Sequence, residues 1–168
     1  MKIILVGFMG SGKSVVGRGL AKRLGIPFLD IDEIIVSREG KSIAKIFAES
    51  GEPYFRKIEK GVALEVCGRA DSCVIATGGG TLMDSDSRDA LKKTGTLVWL
   101  KVSPAKAIER TKDHPVRPLL KEGNPQEKIL SLLALREPLY AQAGLMVETD
   151  HRSVEQVIQE ILKKISSF

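Results

Sequence analysis

The chain has 168 residues, 43% hydrophobic and 28% charged, with a formal net charge of +5. This size and balance predict one cored globular domain, and no apolar run approaches membrane-spanning length. The basic surplus suggests nucleic acid, but aromatics make up only 5% of residues and no basic run is interleaved with them, so small anionic ligands explain it more simply.

Ile3-Ile4-Leu5-Val6 is a short apolar run suited to a buried parallel strand. With a strand rather than a signal peptide at this end, the expected location is the cytoplasm. Gly7-Phe8-Met9-Gly10-Ser11-Gly12-Lys13-Ser14 follows and matches the phosphate-binding pattern G-x-x-x-x-G-K-[ST]. Val15, Val16, Leu20, Ala21 and Leu24 then fall at helical spacing, and Gly25 supplies a stop. Strand, glycine loop and helix come in the order that a nucleotide-triphosphate site requires. The loop around Gly10, Ser11 and Gly12 would turn its N–H groups toward phosphate oxygens, helped by the positive end of the helix. Lys13 would reach the β- and γ-phosphates, and the Ser14 hydroxyl would ligate Mg²⁺.

Ile26-Pro27-Phe28-Leu29 reads as a second strand with Asp30-Ile31-Asp32 at its end. Residues two apart on extended chain point the same way, so both carboxylates are expected to face the space beyond the strand ends, where α/β sheets bind ligands. The competing reading is capping of a helix opened by Glu33 to Val36, which accounts for one aspartate more easily than two. Ser42 to Ser50 is expected to be a short helix stopped at Gly51. Pro53 suits the first turn of a longer helix through Arg69. That helix puts Arg56 and Glu59 on one face, by default as a solvated pair.

Cys73-Val74-Ile75-Ala76 is the third strand, followed at once by Thr77-Gly78-Gly79-Gly80. Consecutive glycines at a strand end fit either a close approach of a ligand to the backbone or a tight turn. A helix over Asp86 to Lys93, a stop at Gly95 and a strand over Thr96 to Leu100 come next. Ser103-Pro104 then caps and opens a helix to Thr111. Cys67 and Cys73, like His114 and His151, lack zinc spacing and read as buried thiols and surface imidazoles. Residues 112–123 break all periodicity and suggest a lid, with Arg117 able to offset charge in a transition state. Asn124-Pro125-Gln126-Glu127 opens a helix through Arg136, disturbed at Pro138. Leu145 to Val147 is the fifth strand, and Ser153 with Gln156 caps a last helix to Ile165. Alternating strands and helices define a three-layer α/β/α fold of the P-loop kind, with a five-stranded parallel sheet. No Asn-Lys-x-Asp stretch for reading guanine occurs, which leaves phosphoryl transfer to a small acceptor.

Taken together, Gly7 to Ser14, Asp30-Ile31-Asp32, Phe55-Arg56 with Glu59, Thr77 to Gly80, Val116-Arg117-Pro118-Leu119-Leu120 and Arg136-Glu137-Pro138-Leu139-Tyr140 resemble the shikimate kinase family over nearly the whole chain. The resemblance implies ATP-dependent phosphorylation of shikimate with Mg²⁺, by a monomer that binds neither nucleic acid nor membrane. It implies that Lys13 and Arg117 stabilise the transferring group, that Ser14 binds the metal, and that Asp30 holds it through water. Asp32 would bind the acceptor's hydroxyls and take a proton. Arg56 and Arg136 would clamp its carboxylate, with Gly78, Gly79 and Gly80 shaping the pocket. Val15, Arg110 and Arg152 would complete the nucleotide site, Arg110 along adenine. Val15 and Val154 depart from residues common in the family, Thr and Pro respectively. Other small-acceptor kinases, for gluconate or nucleoside monophosphates, and a non-catalytic nucleotide-binding regulator are the alternatives.

Overall fold

The computed structural model describes residues 1–112 and 124–167. Arg117 and nearly all of the expected lid therefore lie outside the described residues. Five strands, β1 (Lys2–Val6), β2 (Phe28–Asp30), β3 (Cys73–Ala76), β4 (Thr96–Lys101) and β5 (Leu145–Glu148), pair in parallel in the order β2-β3-β1-β4-β5. Between and after them run α1 (Lys13–Leu24), α2 (Ile31–Glu39), α3 (Ile43–Gly68), α4 (Ser85–Thr94), α5 (Pro104–Thr111), α6 (Pro125–Tyr140) and α7 (Val154–Ser166).

Alternation along β1 divides the core in two. Ile3 and Leu5 point to one face, where they meet Val16 and Leu20 of α1 and Val157, Ile158 and Ile161 of α7. Ile4 and Val6 point to the other, among Ile35, Ile46, Val62, Leu91, Ala107 and Leu133 of the remaining helices. Because both faces are covered, the central strands need no polar side and read as continuous apolar runs. Among the described residues, no helix is long and apolar enough to cross a membrane.

Register brings the strand ends that matter to one level. Leu5 pairs with Ala76, and Ala76 pairs with Asp30. The glycine loop after β1, the glycine turn after β3 and the carboxylate ending β2 thus open on the same edge.

Three local expectations change. The second strand ends at Asp30, and Asp32 already belongs to α2, so the two carboxylates do not share an extended chain. The capping competitor holds for Asp30, whose Oδ1 accepts from the Asp32 N–H (3.0 Å) and the Glu33 N–H (3.4 Å). Pro138 does not end α6, which continues to Tyr140. Proline lacks the N–H that would bond the Ala134 carbonyl and crowds the turn before it, a local cost met by the buried Tyr140, which packs on Trp99 and bonds the Gly79 carbonyl. A single 3₁₀ turn, Thr81–Met83, follows the glycine turn and was not anticipated. The expected break at Gly51 is present inside α3, at φ 78° and ψ 169°.

Candidate active site

The glycine loop takes its shape from backbone that L side chains avoid. Gly10 and Gly12 have φ of 76° and 89°, the left-handed region where a Cβ is costly. The turn tightens through a bond from the Ser11 N–H to the Phe8 carbonyl (3.2 Å). Lys13 lies back over the loop, its Nζ donating to the carbonyls of Gly7 (2.7 Å) and Phe8 (3.0 Å). At the start of α1 the Ser14 hydroxyl donates to Asp30 Oδ2 at 2.6 Å. Asp30 is buried and its other oxygen caps α2, so α2's first turn holds this carboxylate beside the loop. Val15 is exposed at the loop's rim.

A second cluster surrounds the glycine turn. Gly78, Gly79 and Gly80 have ordinary φ, so backbone conformation does not demand glycine here. Space does. A Cβ at Gly78 would run into the carboxylate of Glu59 and lie 3.1 Å from Asp32 Oδ1. One at Gly79 would come 3.4 Å from the Arg136 guanidinium, and one at Gly80 would meet that of Arg56, 2.8 Å from its Cζ. The turn thereby gathers Asp32 from α2, Arg56 and Glu59 from α3 and Arg136 from α6, which are far apart in sequence.

Glu59 is not a solvated partner. It is 3% exposed, and it accepts from Arg56 (2.7 Å) and from the Thr81 hydroxyl (2.8 Å). Glu52 accepts from the Nε and second terminal nitrogen of Arg56 (3.1 and 3.0 Å). Burial disfavours the Arg56 charge, but Glu59 and Glu52 outweigh it and hold its pKa above the ordinary value. A guanidinium has five N–H donors; the glutamates engage three, which leaves one on each terminal nitrogen. Arg136 is different. It is 5% exposed, its Nε has no hydrogen-bond partner, and no carboxylate among the described residues pairs with it.

Arg110 of α5 braces the loop from the far side. Its guanidinium donates to the Gly10 carbonyl (3.0 Å) and to Thr149, at Oγ1 (3.1 Å) and the carbonyl (2.8 Å). Thr149 follows β5 and bonds back to Lys101, and the Arg152 N–H approaches its carbonyl at 3.5 Å. Arg152 itself is exposed and reaches the loop only through this turn. Thr81 and Thr149 belong to these clusters with no sequence signal to mark them, and Tyr140, which the sequence marks only as part of a motif, joins them. For Tyr140 the signal was its place four residues after Arg136, on the same helix face.

A phosphate-binding loop at the carboxyl edge of a parallel sheet, beside carboxylates and an uncompensated buried guanidinium, defines a P-loop phosphotransferase with a small anionic acceptor. The family model described as Shikimate kinase matches residues 9–166. A shikimate kinase of Symbiobacterium thermophilum is 43% identical over 98% of this chain and 96% of its own. The structure of a shikimate kinase from Acinetobacter baumannii in complex with shikimate superposes with a TM-score of 0.94, at 40% identity, over 99% of this chain and 93% of that one. The chain belongs to the shikimate kinase family. A gluconokinase from Sinorhizobium meliloti (TM-score 0.59, 20% identity, 99% of this chain and 91% of that one) shares the fold alone.

Proposed function

We propose that this chain transfers the terminal phosphoryl group of ATP to the 3-hydroxyl of shikimate, giving ADP and shikimate 3-phosphate on the route to aromatic amino acids. Arg136 carries the reading. A buried guanidinium without a carboxylate is costly, and an acceptor carboxylate seated against the glycine turn would relieve it. Arg56 offers a second guanidinium across Gly80 with two N–H groups to spare, so a planar carboxylate can be held on both sides. That the related Acinetobacter baumannii kinase holds shikimate supports the choice of acid.

In this reading Asp32 takes the proton of the 3-hydroxyl as its oxygen attacks the γ-phosphorus, and the bond to the bridging oxygen of ADP breaks. Lys13 turns from the Gly7 and Phe8 carbonyls to the transferring oxygens. Arg117, outside the described residues, adds a second positive charge there. Ser14 would hold Mg²⁺ directly and Asp30 through water. Their oxygens, 2.6 Å apart, are the hard donors this ion selects. The bound ion would offset charge on the β- and γ-phosphates. Gly10, Ser11, Gly12, Val15, Arg110 and Arg152 serve the rest of the nucleotide. The enzyme would act as a cytoplasmic monomer.

The test is ADP release in a coupled assay with shikimate, gluconate, AMP or no acceptor. The reading expects turnover with shikimate only. Equal ADP release without an acceptor, or with gluconate or AMP, would overturn it.

A further inference from the structure

Tyr140 ends α6, one helical turn beyond Arg136, and is 1% exposed. Its hydroxyl donates to the Gly79 carbonyl. Its ring leans on Trp99 of β4, with centroids 6.3 Å apart. Gly79 in turn sits where three parts of the site meet. A Cβ there would lie 3.4 Å from the Arg136 guanidinium, 3.7 Å from the Met9 N–H nitrogen and 3.8 Å from the Gly7 carbonyl. The turn's ends are tied by the Thr77 hydroxyl, which donates to the Leu5 carbonyl (3.1 Å), and by the Thr81 hydroxyl, which donates to Glu59 (2.8 Å). Its three glycines carry no side chains, so the middle of the turn at Gly79 is held by the bond from Tyr140.

We infer that Tyr140 is a positioning residue for the acceptor: its hydroxyl ties Gly79 to α6, so the turn and the Arg136 guanidinium keep one fixed spacing around the acceptor's carboxylate. The tie is local and directional. Arg136 and Tyr140 share one rigid helix, and the hydrogen bond crosses from that helix to the turn without passing through the nucleotide site. Losing it should therefore loosen the carboxylate pocket and leave the phosphate loop as it was. The inference rests on the shikimate reading above.

Tyr140→Phe removes only the hydroxyl and takes the partner from a half-buried carbonyl, so the KM for shikimate should rise about tenfold. The KM for ATP and kcat should stay within about twofold, because the lost bond acts equally in ground and transition states. Trp99→Phe is the companion variant. It weakens packing on the same ring but keeps the hydroxyl, so it should lower the melting temperature without moving the KM for shikimate. In an Arg136→Lys background, where the spacing no longer serves a planar fork, Tyr140→Phe should add less than about twofold. A Tyr140→Phe enzyme with an unchanged KM for shikimate overturns the inference, and so does a Trp99→Phe enzyme showing the same rise in KM. If wild type phosphorylates shikimate and Arg136→Lys raises the KM for shikimate, either result counts against Tyr140 alone. If wild type does not phosphorylate shikimate, the reading and this inference fall together.

Discussion

Gly80 lacks a side chain because the Arg56 guanidinium fills the place where one would go. Its φ of −101° suits any residue, so alanine there strains no backbone. The obstacle is the far end of a flexible side chain, which can swing aside. Gly80→Ala should thus push Arg56 out of its bonds with Glu59 and Glu52, and because Glu59 is then buried without its cation the melting temperature should fall as well. The KM for shikimate should rise by at least about tenfold, as for loss of a charged hydrogen-bonding partner. Steady-state kinetics paired with a thermal melt checks this, and a large loss of stability with unchanged KM would contradict it. Lys13→Met acts on the other substrate. Lys13 donates to the Gly7 and Phe8 carbonyls of its own loop, and its charge is needed when the phosphoryl group moves. Turnover should fall by at least about a hundredfold, with ATP binding reduced far less. Near-normal kcat in a folded variant would remove Lys13 from the chemistry.

Glycines inside helices separate what an element needs from what it tolerates. Gly51 breaks α3 at φ 78° and ψ 169°, a region nearly closed to other residues. Gly51→Ala should cost roughly 1–3 kcal/mol, read as a lower urea midpoint with an unchanged slope. Gly61 lies ten residues further along the same helix, with nothing within 4 Å of a would-be Cβ. Gly61→Ala should stabilise by about 0.5–1 kcal/mol, since it restricts only the unfolded chain. If Gly51→Ala is neutral or stabilising, as Gly61→Ala is expected to be, the break at Gly51 is not a requirement of the fold. At this scale most of the sequence was readable, because strand periodicity, Ser103 with Pro104 and the Ser153–Gln156 capping box are local signals. What stayed unreadable depended on neighbours. At Asp30 the sequence offers both an extended pair with Asp32 and a helix cap, and only the start of α2 at Ile31 decides for the cap. The Thr81–Met83 turn is held by the Thr81–Glu59 bond from another element, and the last turn of α6 passes Pro138 because Tyr140 is fixed by Trp99 and the Gly79 carbonyl.

Across the whole molecule, the phosphate loop was legible as a contiguous motif, whereas the acceptor side was not. Asp32, Arg56, Gly79 and Arg136 meet only because β1, β2 and β3 pair in register and α3 and α6 pack on one face of the sheet. Glu59 looked like a surface pair for the same reason: its burial is a property of the assembled layers. Tyr140 reports on that assembly from within. Burial pushes its phenol up to about 12, while the Arg136 guanidinium beside it pulls the other way and loses. An unfolded chain releases a tyrosine proton near pH 10, so the native state holds this proton more tightly than the unfolded one. The resulting stabilisation is fully present below about pH 10 and is lost as pH rises toward about 12. Tyr140→Phe has no such proton and serves as the reference, because every other titrating group is common to both proteins. The difference in unfolding free energy between wild type and Tyr140→Phe should be flat from about pH 8 to about pH 10. Above that, wild type should lose ground by on the order of 1 kcal/mol per pH unit. Urea titrations of both proteins across this range measure the difference directly. If it stays flat above pH 10, Tyr140 ionises as easily in the folded protein as in the unfolded chain, and the closed packing of α6 against the glycine turn is wrong.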